Sequence, residues 1–151
     1  MGNIFNIDFQ DFIKALNENN VEYMLVGGYA VILHGYSRTT GDMDIWVNRT
    51  EDNYTKIVAA FKKFGMPLFD MTKENFLFHK NWDVFRFGRN PVAIDVMIKM
   101  SDFNFKECYQ LATKHFVENF EVNVIHYNHL IEAKIKAGRG KDEDDIINLK
   151  K

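Results

Sequence analysis

Three aspartates, Asp42, Asp44 and Asp95, are the residues of this sequence best placed to do chemistry. Asp44 and Asp95 each stand between two apolar residues in runs typical of strands, although aspartate is depleted in strands. A buried, ionised carboxylate needs a cation, a proton or strong hydrogen-bond donors, because its desolvation is otherwise very costly. Asp42 and Asp44 are two residues apart, so on a strand both side chains point to the same face.

Three carboxylates that meet from neighbouring strands would form an all-oxygen site suited to Mg²⁺. Two such ions, ~4 Å apart, stabilise both the attacking and the leaving oxygen of an in-line phosphoryl displacement. Each aspartate also has a purely structural interpretation. Asp42 follows Gly41 and could be an ordinary turn residue, and Asp95 could form a buried salt bridge with Arg86 or Arg89.

Two adjacent glycines, Gly27 and Gly28, end one apolar run and begin another. Because they lack a Cβ, they let backbone N–H groups approach an anion closely, and a helix that begins there adds the positive end of its dipole. A tight turn is the alternative interpretation. A phosphate bound at these glycines would lie near the aspartates if the two strands are neighbours.

Two basic residues are candidates for holding such a phosphate. Lys134 lies on the apolar stripe of a predicted helix, where a solvated lysine is not expected, so its ammonium could face the site. The alternatives for Lys134 are a side chain that extends to solvent and an ion pair with Asp142 or Asp145. Arg38 lies four residues before Asp42 and could contact phosphate or brace the loop.

The composition excludes several classes of protein. Of the 151 residues, 46% are apolar and 15% aromatic, enough for a packed core, and a net charge of −2 argues against a general nucleic-acid coat. Cys108 is the only cysteine, so neither an internal disulfide nor a thiolate metal cluster is expected. The sequence has no run of ~20 apolar residues and no signal-like N-terminus. We therefore expect one cytoplasmic domain over residues 1–151 that does not span a membrane.

Hydrophobic spacing predicts the elements that position these residues. Apolar residues at helical spacing predict helices over 9–16, 29–33, 50–64, 105–112 and 128–137, capped by Thr50 and Asn128 in two cases, and a short helix near Asp142. Apolar or alternating runs predict strands over 23–26, 44–47, 92–98 and 120–124, and the aromatic stretch 76–87 predicts two more. Because helices and strands interleave while some strands adjoin directly, we expect an α+β fold around a mixed sheet.

Two linked segments, VGGYAVILHG over residues 26–35 and RTTGDMDI over residues 38–45, resemble the DNA polymerase β-like nucleotidyltransferase superfamily. The motif of that superfamily is two small residues at the end of a strand, a short helix, and a DxD on the next strand. Asp95 looks like its third acid. The segment LIEAKIKAGRGKD over residues 130–142 is similar to small bacterial members related to the AbiEii toxin and to minimal nucleotidyltransferases. The resemblance covers residues 21–149.

This resemblance implies a nucleotidyltransferase fold, a mixed sheet with helices packed mainly on one face and the active site on the open face. It implies that Asp42 and Asp44 bind two Mg²⁺ ions, for which Mn²⁺ can substitute, and that Asp95 ligates one ion and helps to remove a proton from the acceptor. Gly27 and Gly28 would contact phosphates through their backbone. The implied reaction transfers a nucleoside monophosphate from an NTP, with ATP as the first candidate, to a hydroxyl of RNA, protein or a small molecule, and releases pyrophosphate.

The sequence departs from the superfamily at one position and leaves other interpretations open. Many members carry Gly-Ser where this sequence has Gly27 and Gly28, so phosphate contacts would depend on amides and basic side chains. The alternative function is a non-catalytic or regulatory partner in a two-protein, toxin–antitoxin-like module with a small protein encoded nearby, and a homo-oligomer is compatible with either function. A nuclease built from Asp95 and Lys134 fits less well, because Lys134 lies in a helical pattern. Trp82 and Phe87 are the best candidates for stacking on a base.

Overall fold

The computed structural model describes residues 7–89, 92–117 and 119–151. Within these ranges the helices are α1 (Ile7–Glu18), α2 (Gly27–Leu33), α3 (Glu51–Phe64), α4 (Lys73–Phe78), α5 (Phe105–Gln110), α6 (Tyr127–Ala137) and α7 (Gly140–Leu149). The strands are β1 (Tyr23–Val26), β2 (Met43–Val47), β3 (Val84–Arg89), β4 (Val92–Met97), β5 (Thr113–Val117) and β6 (Phe120–Val124). None of the helices formed by the described residues has the length and apolar character needed to cross a bilayer.

The strands form a mixed sheet in the order β3-β4-β2-β1-β6-β5. The pairs β3–β4, β1–β2 and β5–β6 are antiparallel, whereas β2–β4 and β1–β6 are parallel. This arrangement confirms the predicted α+β class and the mixed sheet.

A row of directly paired residues crosses four strands: Arg86 in β3, Asp95 in β4, Asp44 in β2 and Val26 in β1. Directly paired residues in a sheet place their side chains on the same face. The row therefore brings two of the three aspartates side by side, and it ends one residue before Gly27. We call the face of the sheet that carries this row the acid face.

The opposite face of the sheet carries much of the core and packs against α1 and α3. Phe12 of α1 and Phe87 of β3 both contact the ring of Phe61 in α3, at centroid distances of 5.6 and 4.9 Å. α3 begins at its predicted cap, Thr50, whose side chain accepts a hydrogen bond from a first-turn amide, and it is followed by Gly65 with a φ of 87°. α1 and α3 therefore pack on the face of the sheet opposite the acid face and do not cover the acid face itself.

The acid face is covered in part. Trp46 lies two residues after Asp44 on β2 and so on the same face, and Phe105 of α5 packs edge-on against it with 5.1 Å between the ring centroids. Beyond this contact, the end of the acid face that carries Asp44 and Asp95 opens into a cavity.

Three local predictions differ from the structure. The stretch 76–87 was expected to form two strands, which is wrong: its first part belongs to α4, capped by the Thr72 side chain with Glu74 in the first turn, and only the residues from Val84 onward form a strand. The edge strand β5 was not predicted, because its residues are exposed or half-buried and show no apolar face. The cap of α6 is the side chain of His126 rather than that of Asn128.

Candidate active site

A cavity of about 430 Å³ lies at the open end of the acid face. It brings together all seven residues predicted for catalysis, metal binding or nucleotide binding, which are Gly27, Gly28, Arg38, Asp42, Asp44, Asp95 and Lys134. The same cavity is lined by Thr40, Gly41, Arg86, Arg139 and Lys141. Its walls therefore carry three carboxylates and five basic side chains.

Gly27 is required by its backbone and by its neighbour. Its φ is +65°, in the left-handed region that side chains rarely adopt. A Cβ added to Gly27 would lie 2.3 Å from Oδ2 of Asp44. The first residue of α2 and the carboxylate of Asp44 are thus in direct contact, and no side chain fits between them.

Gly28 is required by a different contact. A Cβ added there would lie 2.3 Å from Oγ1 of Thr40 and 3.4 Å from a guanidinium nitrogen of Arg38. The Thr40 hydroxyl therefore occupies the space that a serine at position 28 would need.

Arg86 links two of the three aspartates. Its Nη2 atom lies 3.0 Å from Oδ2 of Asp42 and 3.0 Å from Oδ2 of Asp95, and the Arg86 side chain is 48% exposed. The salt bridge that was an alternative interpretation of Asp95 is therefore present, and Arg86 is the partner. The Asp95 side chain is only 15% exposed, and its Oδ1 atom is buried without a hydrogen-bond partner among the described residues.

Asp44 carries the strongest electrostatic perturbation in the cavity. Burial, together with the adjacent carboxyls of Asp95 and Asp42, raises its pKa to about 7, and the positive charge of Arg86 offsets only part of this effect. A proton on Asp44 can be shared with Asp95 by a hydrogen bond, which also contributes to the raised pKa. Close to neutral pH, Asp44 is therefore only partly ionised, because the positive charge of Arg86 does not balance the negative charges of all three carboxylates.

The donor set fits a divalent metal ion, although the side chains are not yet arranged around one. A buried carboxylate oxygen without a partner beside a carboxyl of raised pKa is what a site for a hard cation would present. In the part of the chain that the structure describes, no three Asp, Glu, His or Cys side chains are close enough to hold a metal ion as they stand. The guanidinium of Arg86 lies between Asp42 and Asp95 instead.

The predicted phosphate ligand Lys134 takes part in a buried ionic cluster with α7. Its Nζ atom lies 3.0 Å from Oδ1 of Asp142 and 3.0 Å from Oδ2 of Asp145, and both carboxylates are almost fully buried. The Arg38 side chain donates two hydrogen bonds to Asp145, at 2.8 and 3.0 Å, and the Arg139 side chain donates two to Asp142, at 2.6 and 3.1 Å. The ion pairs that were the alternative interpretation of Lys134 are thus both formed, while Lys134 and Arg38 also line the cavity.

The cluster holds its two carboxylates in the ionised form. Burial alone would raise the pKa of Asp142, but hydrogen bonds from Arg139 and Lys134 outweigh it and lower the value to about 2. The pKa of Asp145 is likewise lowered, since hydrogen bonds from Arg38 and Lys134 outweigh its burial. α7 is therefore tied to the cavity wall by charge-assisted hydrogen bonds.

A second, mostly apolar cavity of about 180 Å³ adjoins the first. The two cavities share Gly27, Asp44, Lys134 and Arg139 as wall residues. The apolar walls come from the sheet, the segments after it and α6: Val26, Met97, Met100, Ile125, Leu130, Ala133 and Ala137. Asp44 thus lies on the border between a charged and an apolar compartment.

Sequence reasoning missed some of these residues and misplaced others. Thr40, a lone threonine in a loop, gave no signal, and neither did the pairing of Arg139 with Asp142 on the cavity wall. The proposed stacking residues do not line either cavity. Phe87 is 3% exposed on the opposite face of the sheet, and Trp82 stacks on Phe85.

The fold is that of the nucleotidyltransferases, as comparison with solved structures shows. The lincosamide antibiotic adenylyltransferase LnuA, in its lincomycin-bound form, is similar over 99% of this chain and 98% of its own, at 16% identity and a TM-score of 0.54. A Thermotoga maritima protein described only provisionally as a nucleotidyltransferase, TM1012, is similar over 90% and 86%, at 13% identity and a TM-score of 0.55. An antigenic nucleotidyltransferase-like protein from Paracoccidioides brasiliensis is similar over 94% and 74%, at 16% identity and a TM-score of 0.52.

Sequence comparison adds nothing to this assignment. No protein-family model matches the chain, and no curated protein matches it either. At identities of 13–16% the structural likeness concerns the fold, and the predicted relationship to the AbiEii type is not confirmed.

Proposed function

We propose that this chain, as one domain over residues 1–151, is a metal-dependent nucleotidyltransferase. It transfers a nucleoside monophosphate from an NTP to an acceptor hydroxyl and releases pyrophosphate. The observation that supports this most directly is the common cavity, in which three carboxylates, two glycines at the start of α2 and five basic side chains face one another. The fold shared with LnuA, an adenylyltransferase, agrees with this reaction class.

The three aspartates have distinct roles in this proposal. Asp42, Asp44 and Asp95 would hold Mg²⁺, or Mn²⁺ in its place, and such an ion would supply positive charge to the phosphates and to the attacking and leaving oxygens. Asp95 accepts the proton of the acceptor hydroxyl as that oxygen forms its bond to the α-phosphorus. The bond between the α-phosphorus and the oxygen that bridges to the β-phosphate breaks, and pyrophosphate leaves with the bonding electron pair.

The basic wall of the cavity suits the triphosphate. Arg38, Lys134, Arg139 and Lys141 all line it, and guanidinium and ammonium groups bind phosphate by charge-assisted hydrogen bonds. The Thr40 hydroxyl stands against Gly28, where it can contribute a neutral donor. Three of these basic side chains, Arg38, Lys134 and Arg139, are already positioned by the α7 carboxylates.

The apolar cavity suits the nucleobase. It adjoins Asp44, and two methionines give it an adaptable lining. Apart from Asp44, its ionic side chains are Lys134, Arg139 and Asp142, and both cations are paired with Asp142. Few groups are therefore left to read the edge of a base. We therefore expect weak discrimination among NTPs, with ATP as the first nucleotide to test.

The acceptor is proposed by analogy. LnuA has nearly the same length as this chain and was solved with lincomycin bound, so lincomycin and other small hydroxyl compounds are the first acceptors to test. RNA 3′ ends and protein hydroxyls follow. A homo-oligomer is compatible with this scheme.

The decisive experiment uses ATP radiolabelled at either of two positions. Label in the α-phosphate should move to an acceptor in a cell lysate or in a panel of purified hydroxyl compounds, with Mg²⁺ or Mn²⁺ present, whereas label in the γ-phosphate should leave as pyrophosphate. Asp44→Asn should remain folded and transfer no label. If the folded wild-type chain neither transfers the α-label nor binds ATP with metal, the nucleotidyltransferase proposal is wrong. The same fold would then serve the alternative function, a non-catalytic member of a two-protein, toxin–antitoxin-like module.

A further inference from the structure

Arg86 holds a position among the three aspartates that a metal ion would need. One nitrogen atom, Nη2, lies 3.0 Å from an oxygen of Asp42 and 3.0 Å from an oxygen of Asp95. Asp95 is directly opposite Arg86 in the β3–β4 register and beside Asp44 in the β4–β2 register. The cation is therefore placed by the pairing of the sheet and not by a flexible loop.

The arrangement of Arg86 imitates a metal ion only incompletely. Mg²⁺ binds carboxylate oxygens at ~2.0–2.1 Å, so the oxygens now 3.0 Å from Nη2 would have to draw closer together around an ion. The other oxygen of Asp95 is buried and has no hydrogen-bond partner in the described part of the chain. The guanidinium of Arg86 thus contacts two of the three carboxylates, and its single charge is smaller than that of a divalent ion.

The Arg86 side chain is also exposed enough to move away from the carboxylates. Its side chain is 48% exposed, on β3 at the edge of the sheet, and it lines the same cavity as the four other basic side chains. A guanidinium released from the carboxylates would face the space where the proposed triphosphate lies, and guanidinium groups bind phosphate well.

We propose that Arg86 acts as a built-in counter-cation, which occupies the metal position in the nucleotide-free protein and moves to the phosphates when nucleotide and divalent metal bind together. This inference rests on the proposed function. It makes Arg86 a positioning residue that disfavours binding of metal alone and favours binding of metal with nucleotide. The site would then bind its divalent metal ion mainly together with the nucleotide.

The test measures Mn²⁺ binding by calorimetry and by the electron paramagnetic resonance of free Mn²⁺, with and without ATP. The proteins are wild type, Arg86→Met, Arg86→Gln and the control Lys62→Met, which removes the same charge from an exposed position on α3 outside the cavity. Circular dichroism and thermal melting establish that each variant is folded. One folded Arg86 variant is sufficient for the test.

Without ATP, the Arg86 variants should bind Mn²⁺ at least about tenfold more tightly than wild type, because a competing charge next to the carboxylates is gone. With Mn²⁺ present, the same variants should bind ATP about tenfold more weakly, because a phosphate ligand is gone. Lys62→Met should resemble wild type in both measurements. A residue with a merely structural role would not change the two affinities in opposite directions.

Two results would overturn the inference. The first is Mn²⁺ affinity in the absence of ATP that is unchanged or weaker in the Arg86 variants, and the second is ATP affinity that does not fall. If wild type binds Mn²⁺ with ATP in either case, the proposed function stands and only the role of Arg86 is wrong. If no variant and no wild-type sample binds Mn²⁺ or ATP, both the inference and the proposed function fail.

Discussion

Replacing Lys134 with methionine removes the cation that two buried carboxylates share. Lys134 lies 3.0 Å from both Asp142 and Asp145, and the side-chain exposures of the three residues are 8%, 0% and 1%. The substitution keeps the length and the apolar stem of the side chain. It therefore tests the charge on this wall of the cavity separately from packing.

The expected loss of stability follows from burial. Breaking a buried ion pair by removing one partner costs about 3–5 kcal/mol, because the other charge stays buried. Each carboxylate here keeps one arginine, Asp142 with Arg139 and Asp145 with Arg38, so we expect the lower end, about 3 kcal/mol. For a domain of this size, that corresponds to a fall in Tm of about 6–12 °C.

The assay is urea unfolding and thermal melting of Lys134→Met beside a matched control on the same helix. Lys136→Met removes the same charge from α6, but Lys136 pairs with a largely exposed carboxylate, Asp102. Exposed ion pairs contribute little, so the control should lose at most about 1 kcal/mol. A loss in Lys134→Met no larger than that of the control would refute the argument that these charges are buried and interdependent.

The pH dependence gives a second check on the same cluster. The pKa of Asp142 is about 2 in the folded protein, below the ordinary value of 3.8. A carboxyl whose pKa is lower in the folded than in the unfolded state stabilises the fold at any pH above its unfolded-state pKa. That contribution is lost as the pH falls through the folded-state pKa. The stability difference between wild type and Lys134→Met should therefore be full at neutral pH and shrink between about pH 4 and pH 2.

Three further predictions concern the cavity itself. Gly27→Ala should weaken ATP and Mn²⁺ binding and lower stability by about 1–2 kcal/mol, because its Cβ meets Asp44. The control Gly65→Ala, at φ +87° with open space around it, should lose stability but bind both ligands normally. Equal binding by both variants would contradict this prediction. Because the pKa of Asp44 is raised from 3.8 to about 7, its ionisation opposes folding between about pH 4 and pH 7. Asp44→Asn should therefore be more stable than wild type by up to about 4 kcal/mol at about pH 8, since each pKa unit corresponds to about 1.4 kcal/mol, and the difference should nearly vanish at about pH 4 in urea titrations. Ala133→Phe fills the apolar cavity and should weaken ATP binding about tenfold while leaving inorganic triphosphate binding unchanged in calorimetry; a parallel loss for both ligands would show that the base does not lie there.

The central features of the site could be predicted because they depend on short-range regularities. The two-residue period of a strand places Asp42 and Asp44 on one face. Gly27 and Gly28 mark the end of β1 and the start of α2, in the segment just before the strand that carries Asp44. Asp95 was recognisable because a carboxylate in an otherwise apolar strand needs a partner. Local spacing was enough to nominate the three acids.

Long-range geometry could not be predicted in the same way. Arg86 and Arg89 were equal candidates as partners of Asp95, and only the register of the β3–β4 hairpin decides between them, since Arg86 pairs with Asp95 whereas Arg89 pairs with Val92. The 76–87 stretch was misassigned because a short aromatic run fits both the helical and the strand period. The partners of Lys134 depend on how α7 packs, and nothing in the sequence around Lys134 fixes that.

The ionic composition of the cavity walls has a consequence for how a nucleotide would arrive. Five basic side chains line the cavity, and five carboxylates pair with or adjoin them, three near β2 and β4 and two on α7. With the two α7 carboxylates counted and all five carboxylates ionised, these residues carry no formal net charge, and the partial protonation of Asp44, whose pKa is about 7, adds less than one positive charge near neutral pH. A triphosphate accompanied by two divalent ions is itself nearly neutral. A nearly neutral cavity and a nearly neutral metal–triphosphate complex attract each other little beyond a Debye length. The rate of nucleotide association should therefore depend on diffusion and on the exchange of ion pairs in the cavity, and should hardly respond to ionic strength.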